Sequence, residues 1–318
     1  MAYSDEGGPP RPLTEWRDET VLVTGGAGFL GSHLCRRLLL AGAVVHATSR
    51  RPQIPGPGRG CWWQSNLSSL DEVRSLVRRT KPTIIYHLAG SVGAKPDIQY
   101  VLPTFESLLS STIYILIAAA EIGCRRVVLS GSLTEPNLDT VLPIPSSPYA
   151  AAKWAASAYG RMFHVLYRTP VVSAVPFMTF GPHQDEKKLI PSVILSFLRG
   201  EAPELTSGRW EADWVYVDDV VDGLLAAGVV PGIEGNTLDL GSGRTRAVRE
   251  VVETIATIMA SAPQPNFGAL PDRPSEPVRI ANVQETRRRI GWSPQTVFEE
   301  GLRRTVLWYR QRAPEKRS

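Results

Sequence analysis

The chain has 318 residues, 43% hydrophobic and 21% charged, with a net charge of +4 and a pI near 9.0. These values suit a globular protein of one large or two coupled domains. They come with no basic stripe interleaved with aromatics and no apolar run of membrane length, so neither nucleic acid nor a membrane is expected as a partner.

Met1 to Arg17 is charged and rich in Pro and Gly, and reads as a loose lead-in (1–17) rather than a signal peptide. From there, short runs rich in Val and Ile alternate with helical patterns. The runs are Val21–Val23, Val44–Thr48, Ile84–Leu88, Val127–Ser130 and Val171–Phe177. The helical patterns are Leu30–Leu40, Leu70–Thr80, Phe105–Ile122 and Tyr149–Tyr167. Ala41-Gly42 and Gly123 supply helix stops. Repeated βα units predict an α/β fold, a doubly wound parallel sheet covered by helices on both faces, over residues 18–177. After Phe177, turn-rich segments alternate with helices at Ile190–Leu198, Val217–Ala227, Val248–Met259 and Val297–Tyr309. Residues 178–318 therefore read mostly as a smaller C-terminal substrate lobe over the sheet's carboxyl edge, with some segments returning to the sheet. The polar tail from Arg312 is expected to fray.

The first strand runs into Gly25-Gly26-Ala27-Gly28-Phe29-Leu30-Gly31. Gly25 permits a tight turn, Gly28 lets backbone approach a pyrophosphate, and Gly31 lets helix and strand pack closely. The helix beginning at Phe29 and Leu30 offers N–H groups and a partial positive charge to that anion. Strand, turn and helix in this order point to a dinucleotide. An NAD site usually ends its second strand in Asp or Glu, which accepts from the ribose 2′-hydroxyl. Here His46-Ala47-Thr48-Ser49-Arg50-Arg51 has no acid. Ser49, Arg50 and Arg51 lie where a 2′-phosphate would, which favours NADP over NAD; the plainer reading is a solvated arginine pair before Pro52. Asn66-Leu67, after the third strand, is a candidate for the adenine edge, although Asn is also a common turn residue. Leu88-Ala89-Gly90, at the end of the Ile84–Leu88 run, is assigned to the cofactor as well.

Tyr149 and Lys153 stand four apart at a helix start, on one face. A nearby ammonium lowers a phenol's pKa from about 10 towards working pH, which suits general acid/base work. Ser132, just past the fifth strand, is placed to hydrogen-bond a substrate oxygen. Plainer roles fall to other residues. His33, His46, His87, His164 and His183 have no metal spacing, and His87 reads as core. Asp218-Asp219 reads as a helix cap, and Trp62-Trp63 as packing. Cys35, Cys61 and Cys124 read as reduced, half-buried thiols of a cytoplasmic protein.

On these motifs the chain resembles an extended short-chain dehydrogenase/reductase of the nucleotide-sugar epimerase/dehydratase kind, with a Rossmann sheet. The likeness runs from Val21 to Tyr309. It takes in the Gly25/Gly28/Gly31 turn, Ser132/Tyr149/Lys153, Phe180-Gly181-Pro182, the Asp213–Asp219 stretch, Leu240-Gly241-Ser242-Gly243 and Arg273-Pro274-Ser275-Glu276. The resemblance implies that Tyr149 exchanges a proton with a sugar hydroxyl or ketone. It implies that Lys153 holds the nicotinamide ribose, that Ser132 orients the reacting oxygen and that Arg273 meets a diphosphate. It also implies a homodimer paired through the Phe105–Ile122 and Tyr149–Tyr167 helices, the plainer reading being that these helices only cover the sheet.

The departures shape the expectation. Family dehydratases follow the catalytic Ser/Thr with an acidic pair; here Leu133-Thr134 follows Ser132, and Glu135 comes one place late. Ala212 stands at a position that is often a diphosphate-binding Arg, with Arg209 the candidate to compensate. Met178 stands at a position that is often Asn. The reading is an NADP(H)-dependent reductase of a 4-keto-6-deoxy nucleotide sugar. The alternatives are an epimerase that recycles its cofactor and a non-catalytic NADP-binding regulatory protein. A substrate other than a nucleotide sugar stays open because of Met178 and Ala212.

Overall fold

The computed structural model describes residues 16–53, 60–90, 93, 95–136, 142–260, 262–272 and 278–312. The chain divides into two compact units. One comprises the described residues of Met1–Pro176, Val221–Asp239 and Gln284–Trp292, the other those of Phe177–Val220, Leu240–Val283 and Ser293–Ser318.

Each of the five apolar runs becomes a strand of the first unit's sheet: β1 (Thr20–Thr24), β2 (Val44–Ser49), β4 (Ile84–His87), β5 (Arg126–Ser130) and β6 (Val171–Pro176), with β3 (Gly60–Gln64) between β2 and β4 in the chain. The helices between them are α1 (Phe29–Leu40), α2 (Leu70–Thr80), α3 (Val101–Thr104), α4 (Ser111–Ile122) and α5 (Pro148–Tyr167). The order across the sheet is β3-β2-β1-β4-β5-β6, with β10 (Thr237–Leu240) beside β6. Every pairing from β3 to β6 is parallel. This is the doubly wound order, which reverses between β1 and β4 and opens a crevice at the strands' carboxyl ends.

Beneath that edge, one face of the sheet is sealed by Val73, Leu76 and Val77 of α2, Ile115 and Leu116 of α4 and Phe163 of α5. They close over Leu22, Ile85, Val127, Leu129 and Val171. Burying each such side chain contributes roughly 1.5–3 kcal/mol. Ser69 caps α2 by accepting from Glu72 N, and Gly123 ends α4 in the left-handed region. Cys35 and Cys124 are buried, whereas Cys61 is exposed rather than half-buried; all three are free thiols.

The third helical pattern is longer than its sequence period implies. A 3₁₀ turn (Ile98–Tyr100), α3, a π-helical segment (Phe105–Ser110) and α4 run end to end from Ile98 to Ile122. Pro103 sits in the short first helix, where a missing N–H costs least. Ser107 and Thr112 hydroxyls donate to the Pro103 and Leu108 carbonyls, competing with the backbone for these acceptors. The 25-residue run contains an 18-residue window with a mean hydropathy of 1.5 and is long and apolar enough to cross a membrane by length and composition. The expectation that no apolar run reaches that length is corrected accordingly. Pro103 made the pattern look as if it began at Phe105. Its α4 part is core, with Ile115 and Leu116 fully buried.

The second unit contains β7 (Met178–Phe180), α6 (Leu189–Arg199), β8 (Glu204–Leu205), β9 (Glu211–Tyr216), β11 (Thr245–Ala247), α8 (Val248–Met259), β12 (Asn266–Phe267) and α10 (Phe298–Arg312). The chain also forms α7 (Val217–Val229) and α9 (Val283–Ile290). β7 and β11 flank β9, while β8 pairs with β12. The buried Asp213 carboxylate joins three segments: it accepts from Ser242 N and Oγ (both 2.6 Å), Gly243 N (2.9 Å) and Ala281 N (2.9 Å). That many donors offset the desolvation of a buried charge. The expected capping role of Asp218-Asp219 is corrected in part. Both lie in the first turn of α7, but Asp219 accepts from Gln295 N and Thr296 N and so fastens a distant loop.

Candidate active site

The glycine turn follows β1 and leads into α1. Gly25 has φ +70°, and a Cβ there would lie 2.9 Å from Ala89 backbone atoms; a Cβ on Gly31 would lie 2.2 Å from the Gly25 carbonyl. Gly28 is the N-cap of α1, with no side-chain cap and no acid in the first turn. The first intrahelical bond is Ser32 N to Gly28 O, so the N–H groups of Phe29, Leu30 and Gly31 have no acceptor within the helix. Backbone that is bare of side chains, with first-turn donors and a dipole's positive end, fits a dinucleotide pyrophosphate. Two threonines brace the turn. Thr48 accepts from Gly25 N (3.3 Å) and Gly26 N (3.0 Å), and Thr24 Oγ1 accepts from Ala89 N (3.2 Å). Leu88 and Ala89 are thereby fixed beside the turn, and Gly90 follows at φ +152°.

Thr24 Oγ1 also bonds His87 Nδ1 (2.8 Å), whose Nε2 meets Thr112 Oγ1 (3.1 Å). Burial, helped by the Lys153 charge, pushes His87 down to about 3, so it is a neutral core histidine. At the end of β2, Ser49 Oγ accepts from Arg51 N (3.1 Å). The Arg50 and Arg51 side chains are exposed, and neither has an ionic partner among the described residues. Asn66 is occupied as a turn residue, its Oδ1 accepting from Ser68 N (3.1 Å) and its N donating to Glu72 (2.9 Å). Leu67 packs on the core, as does Trp63, whose Nε1 donates to His46 Nδ1 (3.1 Å).

Ser132, Tyr149 and Lys153 come together at the carboxyl edge. Ser147 caps α5 by accepting from Ala150 N and Pro148 opens its first turn, which sets Tyr149 and Lys153 one turn apart. The Ser132 side chain hydrogen-bonds the Tyr149 phenol. Lys153 is buried and donates to the Ser130 carbonyl at the end of β5 (2.6 Å). The electrostatics correct the expectation that Lys153 lowers the phenol's pKa. Burial pushes Tyr149 above its ordinary value; the Ser132 hydrogen bond opposes that, and the Glu135 charge adds to it. Burial also pushes Lys153 down to about 8, against the Glu135 charge.

Glu135 is the residue that sequence reasoning set aside. Its Oε1 accepts from Ser132 N (2.8 Å), while Glu135 N donates to Ser132 O (3.1 Å). The sequence signal was present: Ser132-Leu133-Thr134-Glu135 has the Ser-x-x-Glu spacing of a capping box. The remaining candidates belong to the second unit. Met178 opens β7 opposite Trp214, and Ala212 is buried in β9 opposite Arg246. Arg209 is exposed near Asp272, whose carboxylate accepts from Ser207 N (2.9 Å). Arg273 lies outside the described residues.

Comparison with known proteins places this geometry among relatives. The model of the NAD dependent epimerase/dehydratase family matches residues 21–235. UDP-glucose 4-epimerase of Mycolicibacterium smegmatis is 31% identical, over 92% of this chain and 99% of its own length. dTDP-glucose 4,6-dehydratase of Neisseria gonorrhoeae is 29% identical, over 92% of this chain and 95% of its own. The solved complex of Thermus thermophilus UDP-glucose 4-epimerase with NAD superposes with a TM-score of 0.81 at 27% identity, covering 91% of this chain and 98% of that one.

Proposed function

The chain belongs to the NAD-dependent epimerase/dehydratase family, and from that premise we propose that it is an NADP(H)-dependent reductase of a 4-keto-6-deoxy nucleotide sugar. The observation that carries this reading is the Ser132–Tyr149–Lys153 cluster followed by Leu133 and Thr134 instead of a carboxylate pair. With no acid on those two residues, the site has what a carbonyl reduction needs and lacks what the family's dehydratases use to remove water. The Gly25–Gly31 turn would hold NADPH, which would supply hydride. Ser132 orients the keto oxygen, and Tyr149 gives it a proton. Lys153 holds the nicotinamide ribose, and its charge steadies the phenolate left behind. The exposed Arg50 and Arg51 at the end of β2 favour the 2′-phosphate of NADP, although the Thermus neighbour holds NAD. Met178, Arg209 and Arg273 are the candidates for substrate contact. The protein acts as a cytoplasmic homodimer.

A second reading is an epimerase that returns the hydride to its substrate; the Mycolicibacterium relative favours it. The intact cluster weighs against a non-catalytic NADP-binding regulator. Protein stripped of cofactor, offered 4-keto-6-deoxy nucleotide sugars with deuterated NADPH, separates these readings. The expected result is one NADPH consumed per product, with deuterium on the former keto carbon. Turnover without net NADPH loss supports the epimerase. Reaction only with ketones outside this class rejects the nucleotide-sugar reading.

A further inference from the structure

We propose that Glu135 is a positioning residue of this site: its carboxylate locks the turn that carries Ser132. The inference rests on the reading of those three residues as the acid/base cluster and goes beyond it by giving a task to an acid that stands outside the family's dehydratase position.

The turn after β5 is closed by reciprocal bonds. Ser132 Oγ accepts from Thr134 N (3.2 Å) and lies 2.9 Å from Thr134 Oγ1, Ser132 O accepts from Glu135 N (3.1 Å), and Glu135 Oε1 accepts from Ser132 N (2.8 Å). The Glu135 carboxylate reaches back to Ser132 N as the acid of a capping box does, over residues 132–136, which form a turn and a bend. It fixes Ser132, whose side chain meets the Tyr149 phenol. Glu135 is therefore one residue removed from the reacting oxygen's expected place.

The charge matters separately from the hydrogen bond. Among the described residues, the titratable groups that act on the cluster are Glu135 from the β5 turn and His87 from β4, together with Tyr149 and Lys153 of α5. His87 is neutral, and the charge that acts on Tyr149 and on Lys153 is that of Glu135. Its field opposes loss of a proton from either α5 residue. An ammonium that is to remain charged in a buried site is served by that bias.

The test uses the full chain with lysine labelled at ¹³Cε, the Lys153 resonance being assigned by its loss in Lys153→Met. Glu135→Gln keeps the acceptor and removes the charge; Glu135→Ala removes both. The Lys153 midpoint is expected to fall in both variants, by on the order of one pH unit for a neighbouring charge in a site of low dielectric. The Ser132 amide is expected to stay protected from hydrogen exchange in Glu135→Gln and to lose protection in Glu135→Ala. An unmoved Lys153 midpoint overturns the electrostatic role. Equal Ser132 protection in Glu135→Ala overturns the positioning role. Neither readout needs a substrate, so failure of the native protein to consume NADPH counts against the reductase reading and leaves this test standing.

Discussion

Tyr149 and Lys153 share a helical face but not an electrostatic history. The phenol is kept protonated by burial, and the ammonium is destabilised by the same burial while bonded to the Ser130 carbonyl. Two predictions follow from this difference. Tyr149→Phe preserves the ring and deletes the proton, so turnover is expected to fall roughly 10²–10⁴-fold while cofactor affinity barely changes; near-native turnover on the true substrate removes Tyr149 from the chemistry. Lys153 acts on stability. Its folded pKa of about 8 lies below the unfolded value of 10.5, so between those pH values the unfolded chain binds more protons and stability rises with pH. Relative to Lys153→Met, the native protein is expected to gain at most about 3 kcal/mol between pH 7 and pH 10. Chemical denaturation at both pH values measures this, and a constant difference between the two proteins contradicts it.

At the level of elements, the proposed preference for NADP rests on the end of β2. Thr48 turns inward to hold Gly25 and Gly26, which leaves the strand's outward chemistry to Ser49, Arg50 and Arg51. Calorimetry is expected to give tighter binding of NADPH than of NADH, and the gap is expected to collapse in Arg50→Ala/Arg51→Ala; equal affinities in the native protein sink the preference. The strand itself was readable from sequence because its Val/Ile-rich run is local. The β1–α1 turn was readable for the same reason, as was the Tyr149–Lys153 spacing. Elements that depend on distant partners were not. β3 was expected ahead of Asn66 but without bounds: its sequence Gly60-Cys61-Trp62-Trp63-Gln64 sits at the sheet's edge beside β2 and lacks the Val/Ile run of a strand buried on both faces. β10 joins the same sheet from more than sixty residues after β6, and nothing in Thr237–Leu240 announces that. The helical run from Ile98 was hidden by Pro103 and by a π segment that breaks the 3.6-residue period. Glu135 escaped because it was compared with a family position when its meaning lay in a bond back to Ser132.

At the scale of the whole molecule, the proposed homodimer has a surface to account for. Ile98, Leu102 and Phe105 are spaced i, i+4 and i+7 and are 88%, 69% and 49% exposed. On α5, Tyr159 and Leu166 lie seven residues apart and are also exposed, at 38% and 63%. The α3 and π-helical segments pack against α5, so the two stripes belong to neighbouring helices of one unit. Single exposed apolar residues are ordinary, but stripes on adjacent helices are the usual mark of an interface. A second copy of the chain is the occupant that closed twofold symmetry provides, because the same patch then covers itself. The inner side of the same helical run is held by α4 in the core, so its outer side can be changed without opening the fold. Sedimentation velocity is therefore expected to give about twice the 34.8 kDa chain mass, and Leu102→Glu/Phe105→Glu is expected to give a monomer with native circular dichroism. The variant should still bind NADPH, because the Gly25–Gly31 turn and its threonine braces lie on β1, α1 and β2 and draw nothing from the altered residues. A native protein that sediments as a monomer at micromolar concentration rejects the dimer, and these stripes would then need a different partner.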